Sequence, residues 1–216
     1  MLTYESVSNC GERKYNEDYA GIEKRGDSFC FVLADGLGGH GGGAEASKTV
    51  AEYILRDFRK CGEASEAYLQ KCFEESQSLL LKEQREQNRI YEMKTTLVVL
   101  LVDETDFQWG HIGDSRLYYF KNKKCRLRTL DHSVPQMLAA AGEIKEKQIR
   151  GHADRNRLLR VMGTEWRLPG YQLGERMRRD KGEAFLLCSD GFWEWILERN
   201  MQTALKRSKS PEEWLK

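Results

Sequence analysis

The stretch Phe29–Gly43, FCFVLADGLGGHGGG, constrains this chain most, because an apolar run stops abruptly at Asp35-Gly36. A second apolar run, Phe185–Cys188, stops the same way at Ser189-Asp190-Gly191. A strand end that presents a carboxylate, followed by a glycine that lets backbone come close, suits a hard cation or a phosphate. We read the two ends as meeting in one acidic, metal-binding cleft that the rest of the chain holds in place. Glu17-Asp18, read alone, is a solvated turn. Beside Asp35 and Asp190 it makes a group of four acids that would repel one another and hold their protons unless a cation intervened. Divalent Mg2+ or Mn2+, which take oxygen ligands and keep several waters, resolve that repulsion.

Other readings of the glycines compete. Gly36-x-Gly38-x-x-Gly41 matches the dinucleotide fingerprint, with a strand before it, a helix after it and Asp57 further on. That fingerprint needs a second parallel strand after the helix, whereas another helical pattern follows here. It also leaves the Asp190-Gly191 copy without a role. A plain glycine turn explains Gly36–Gly43 but not the recurrence, and no Gly-Lys-Ser/Thr closes a P-loop.

Periodicity supplies the frame. Tyr19–Ile22 and Phe29–Ala34 read as strands, and Leu2–Ser8 as a weak first strand. Val50, Ile54 and Phe58 mark an amphipathic helix over Ala44–Lys60, and Leu69 to Leu80 a second helix running to about Arg89. Thr95–Val102, Phe107–Ile112, Arg116–Lys121 and Cys125–Leu130 are closely spaced strands, hence an antiparallel meander. Val134–Ala141 is helical and Gly142–Asn156 an irregular surface segment; Tyr171–Arg178 and Ala184–Cys188 are strands, and short helices follow. The organisation is α+β, as one domain over 1–216.

Composition narrows the classes. Lys and Arg total 35 against 34 Asp and Glu, which gives no reason to expect nucleic acid or an anionic membrane as partner. The six cysteines form no C-x-x-C pair and read as small core residues of a reducing compartment, the cytoplasm. Asp114-Ser115-Arg116 after Gly113 reads as a tight turn, and Ser133 in Asp131-His132-Ser133 as a helix N-cap. His111 reads as a sheet residue. Ser115 has no G-x-S-x-G context and no cysteine has an Arg six positions on, so no covalent nucleophile stands out.

Six motifs then fall in order: R-x-x-N-E-D (Arg13–Asp18), A-D-G-L-G-G-H (Ala34–His40), G-D-S-R (Gly113–Arg116), D-H-S (Asp131–Ser133), R-N-R-L-L-R-V-M-G (Arg155–Gly163) and S-D-G-F-W (Ser189–Trp193). Together they resemble the metal-dependent serine/threonine protein phosphatases of the 2C type, bacterial branch, over nearly the whole chain. The resemblance implies an α-β-β-α sandwich of two antiparallel sheets flanked by helices, with metals at one end between the sheets. It implies that Asp35 bridges two Mn2+ or Mg2+ ions, that Gly36 offers its carbonyl to one and that Asp190 holds the other. By the same resemblance Asp18 and Glu17 would sit close, largely through metal-bound waters, Asp114 would serve a third, weaker ion, and Arg13 would bind the substrate phosphate. The activity the resemblance implies is hydrolysis by a metal-bridging hydroxide, which would need no phospho-enzyme. Gly142–Asn156 would be a flap that affects substrate choice. Substrates would be phosphoproteins made by a serine/threonine kinase, and the chain a monomer.

Two departures bear on the site. The family's eukaryotic-type members carry His after the first Asp-Gly, where this chain has Leu37, so the general acid is open between a metal-bound water, His40 and His132. The family's closing Asp-Asn motif and last strand are missing before Lys216, which predicts an unpaired sheet edge and a weaker ion beside Asp190. A phosphoprotein-binding pseudophosphatase that keeps Arg13 without turnover is the alternative.

Overall fold

The structure is a computed structural model, and it describes residues 2–37 and 41–216. Strands β1 (Asp18–Arg25) and β2 (Ser28–Leu37) form a hairpin through Gly26-Asp27. Helices α1 (Gly42–Cys61) and α2 (Glu66–Glu86) follow, then β3 (Lys94–Thr95), β4 (Leu97–Val102) and β5 (Asp106–Ile112). Next come β6 (Arg116–Lys121), β7 (Lys124–Arg128), α3 (Val134–Ala140) and the short β8 (Gln172–Leu173) and β9 (Met177–Arg178). β10 (Glu183–Cys188) leads into α4 (Asp190–Trp193), α5 (Glu198–Arg207) and α6 (Pro211–Leu215).

The strands build two antiparallel sheets. The first runs β1-β2-β4-β5-β8, with β3 against β2 and β9 against β5; the second runs β10-β6-β7. β4, LVVLLV, is buried throughout because its two faces serve two cores. Val99 and Leu101 meet Val50, Ile54 and Phe58 of α1 and Leu69 and Phe73 of α2. Val98, Leu100 and Val102 meet Leu117 and Tyr119 of the second sheet. The outer face of that sheet, Tyr118 and Phe120, is covered by Trp193, Met201 and Trp214 of the last helices. Each fully buried Phe or Leu contributes roughly 1.5–3 kcal/mol, so these three cores, rather than helix propensity, fix the layers. The order is helices, sheet, sheet, helices, as the resemblance implied.

Several expectations change. Leu2–Ser8 forms no strand. The run from Thr95 breaks at Thr96, and the stretch from Tyr171 breaks at Gly174, where a Cβ would lie 2.1 Å from the Trp109 ring. The meander divides: β4–β5 belongs to the first sheet and β6–β7 to the second, so the chain changes sheets at Gly113–Ser115. The dinucleotide reading fails, because α1 runs into α2 and every pairing among the described strands is antiparallel. Among the described residues, β10 borders β6 alone, at the edge of its sheet. No helix among the described residues is long and apolar enough to cross a membrane.

Candidate metal centre

The β1–β2 register places Asp18 directly opposite Asp35, two like charges on one face of the ladder. Such a pair is unfavourable unless something positive sits over it. Asp35 is nonetheless fixed from behind. Its N–H donates to Thr96 Oγ1 at 3.0 Å, and its carbonyl accepts from Thr95 Oγ1 at 2.9 Å and Thr96 N at 2.9 Å. The break at Thr96 thus turns two hydroxyls onto the Asp35 backbone, and Thr96 Oγ1 also lies 2.7 Å from Ser115 Oγ. Gly36 packs against backbone, where a Cβ would lie 2.2 Å from Gly43 O. Its N–H donates to Glu17 O at 3.1 Å, and Ser47 Oγ donates to the same carbonyl at 2.6 Å. Glu17 therefore acts here through its main chain.

Asp114 sits in the turn where the chain changes sheets. Gly113 has φ of +98°, and a Cβ on it would lie 2.6 Å from Thr96 Cγ2, so glycine is required there. The Asp114 carbonyl accepts from Trp193 Nε1 at 2.9 Å. Asp190 opens α4 beside it, and Ser189 Oγ donates to Asp18 Oδ2 at 2.8 Å, closing the ring of acids from the far end of the chain.

The acids also act on one another. Burial, then Asp18, Asp190 and Asp114 in turn, push the Asp35 carboxyl up to about 9. Burial, with Asp190 and Asp131, pushes Asp114 up to about 8. Both would hold protons at neutral pH unless a cation took the proton's place. Among the described residues, no three acid, imidazole or thiol groups close around one point. The donor set therefore suits a hard divalent ion held by one or two carboxylates and otherwise by water.

The remaining candidates fall into place around these acids. Arg13 is exposed on the wall of a cleft that Asp18 and Asp190 also border. His40 lies outside the described residues. His132 stacks on His111, with ring centroids 4.8 Å apart and planes 6° from parallel, and its Nδ1 accepts from Gly113 N at 3.2 Å. Burial, His111 and Arg160 push its pKa down to about 3, so the ring stays neutral and serves as a backbone anchor. His111 is a buried sheet residue with Nε2 2.8 Å from Leu130 O, as the sequence suggested. Ser133 caps α3. Residues 142–156 are tied down by Arg128–Glu146, by Arg150–Glu198 at 2.6 Å and by Arg155–Glu194 at 3.0 Å.

Sequence reasoning missed Thr95, Thr96, Ser189 and the Trp193 indole N–H as supports of the site. The only sequence signal was a pair of threonines opening an otherwise aliphatic strand. Replacing Thr96 with Val keeps the shape but leaves the buried Asp35 N–H without its acceptor. We expect a loss of about 1–3 kcal/mol in chemical denaturation, where an unchanged midpoint would show the bond to be dispensable.

The fold and this acidic centre define a metal-dependent phosphatase, and the chain belongs to the protein phosphatase 2C family, whose profile matches residues 8–213. It is 30% identical over 208 residues to the serine/threonine phosphatase stp of Listeria monocytogenes, covering 93% of this chain and 81% of that protein. The structure of the serine/threonine phosphatase Stp1 from Staphylococcus aureus superposes with a TM-score of 0.86 at 26% identity, covering 99% of this chain and 88% of that one. The catalytic domain of the phosphatase PstP, solved in complex with two manganese ions, superposes at 0.79 with 26% identity, covering 94% and 83%. The protein is a metal-dependent phosphatase of phosphoserine and phosphothreonine in proteins.

Proposed function

We propose that Asp18, Asp35, the Gly36 carbonyl and Asp190 would hold two Mn2+ or Mg2+ ions, and that Asp114 would hold a third, weaker one. The observation that carries this is geometric: Asp18 lies opposite Asp35 in the β1–β2 register, and Ser189, next to Asp190 in sequence, donates from Oγ to Asp18 Oδ2 at 2.8 Å. When bound, such ions supply a water acidic enough to lose a proton near neutral pH, and they draw charge from the phosphoryl oxygens. The chain's own part is to hold the carboxylates rigidly from behind through Thr95, Thr96, Ser189 and Trp193. Hydrolysis adds water across the P–O ester bond, releasing serine or threonine and inorganic phosphate. Turnover of a phosphothreonine peptide with Mn2+, abolished by EDTA, tests the assignment; turnover that resists EDTA overturns it.

Arg13 is proposed to grip the substrate phosphate, because it is an exposed guanidinium lining the cleft that Asp18 and Asp190 also line. A guanidinium forks onto two phosphate oxygens and an ammonium cannot. Arg13→Lys should raise KM for a phosphopeptide about tenfold, while kcat falls only if the contact tightens in the transition state. An unchanged KM removes Arg13 from the site. Residues 142–156 are proposed as the flap that selects substrates within one domain spanning 1–216. The described cysteines are all free thiols, which supports a cytoplasmic setting. We further propose that the chain acts as a monomer on the products of a serine/threonine kinase.

A further inference from the structure

We infer that His132 is a positioning residue that sets the place of Asp114 through Gly113; the inference rests on the reading of Asp114 as a metal ligand. His132 clasps Gly113 at two points. Its own N–H donates to Gly113 O at 2.8 Å, and its Nδ1 accepts from Gly113 N at 3.2 Å. The peptide on either side of Gly113 is thus fixed by one residue, immediately before the Asp114 side chain branches off.

The clasp is itself held. His132 O accepts from Leu159 N at 2.7 Å, which secures the backbone half. The ring is held by its stack on His111, and that ring is held in turn at Leu130 O. On the opposite side of the turn, Thr96 crowds Gly113 and Trp193 Nε1 holds the Asp114 carbonyl. Without the imidazole acceptor, the Gly113 N–H loses its partner in a part-buried place and the turn keeps only the backbone half of the clasp. Groups that orient a metal ligand from outside typically contribute about 10–100-fold to affinity. His132 needs no contact with an ion or with substrate to do this.

The test titrates Mn2+ calorimetrically into the full chain and four variants, with melting temperature followed beside it. Asp114→Ala should lose the weakest-binding ion and keep the others. His132→Ala should weaken that ion about 10–100-fold while leaving the tighter ones unchanged. His132→Asn places a carbonyl acceptor close to where Nδ1 stands and should restore the affinity to within about threefold, whereas His132→Gln, which carries its acceptor further out, should not. If His132→Ala does not fold, the Asn and Gln variants decide: equal Mn2+ affinities overturn the inference. It also falls if Asp114→Ala loses the ion and His132→Ala keeps it at native affinity, or if Asn fails to rescue. If Asp114→Ala keeps every ion, the assignment of Asp114 fails first, and His132 loses its role with it.

Discussion

Asp35→Asn should lower turnover by about three orders of magnitude and, in metal-free buffer at pH 7.5, make the protein more stable. The two effects have one origin. The carboxylate faces Asp18 across the ladder and feels Asp190 and Asp114, so its ionised form is costly unless a cation sits beside it. The unfolded chain releases this proton near pH 4, while the folded chain keeps it until about 9. Its contribution to stability is therefore whole below about pH 4 and lost as pH rises through about 9. Asn carries no charge and escapes that loss, so the metal-free variant should gain about 1–3 kcal/mol at pH 7.5, even after allowance for the sharing of protons among the acids. It also gives up a charged oxygen that two ions would share. Losing several kcal/mol of charge stabilisation in the transition state amounts to roughly a thousandfold. Denaturation in EDTA and kinetics in Mn2+ check the two halves; a variant destabilised in EDTA would show that Asp35 is a structural residue.

Asp131→Ala should cost about 3–5 kcal/mol, the largest stability loss expected of any single change near the centre. Arg116 forks onto Asp131 with both bonds at 2.7 Å, and the two side chains are only 2% and 1% exposed. Removing the acid strands a guanidinium in the interior, against the Trp193 ring at 3.4 Å. Trp193 in turn holds the Asp114 carbonyl, so turnover should fall with stability. A double replacement, Arg116→Met with Asp131→Leu, removes the buried charge as well as its partner and should recover more than half of the loss. A single variant costing under about 1 kcal/mol would show that water reaches Arg116 and that the pair is not truly buried.

The layers and most of the acids were legible in the sequence because both depend on local pattern. LVVLLV reads as a strand buried on both faces, and it has a core on each. The two Asp-Gly ends read as one centre because like charges at the ends of buried strands need a common explanation. What stayed hidden is the support behind the acids. Thr96 reaches Asp35 across 61 positions and Ser189 reaches Asp18 across 171, and nothing local in a threonine or serine announces such a partner. Leu2–Ser8 misled for the converse reason. Its alternation is real, but a strand exists only where another strand accepts its hydrogen bonds, and pairing is not written in the segment itself.

The acids of the proposed centre also come from distant parts of the chain, which bears on how the two sheets dock. Asp18 and Asp35 belong to one hairpin, Asp114 to the crossing between sheets and Asp190 to the last helical stretch. Until the second sheet has docked on the first, a nascent or partly opened chain presents only one side of the centre. Without counter-charge, the final docking brings anions together and is opposed by them. An ion that recognises only the finished arrangement stabilises it by mass action, by about 2.7 kcal/mol when present at a hundred times its dissociation constant. An ion held by these acids would therefore shift the balance towards the docked sandwich, and a chelator would withdraw that stabilisation.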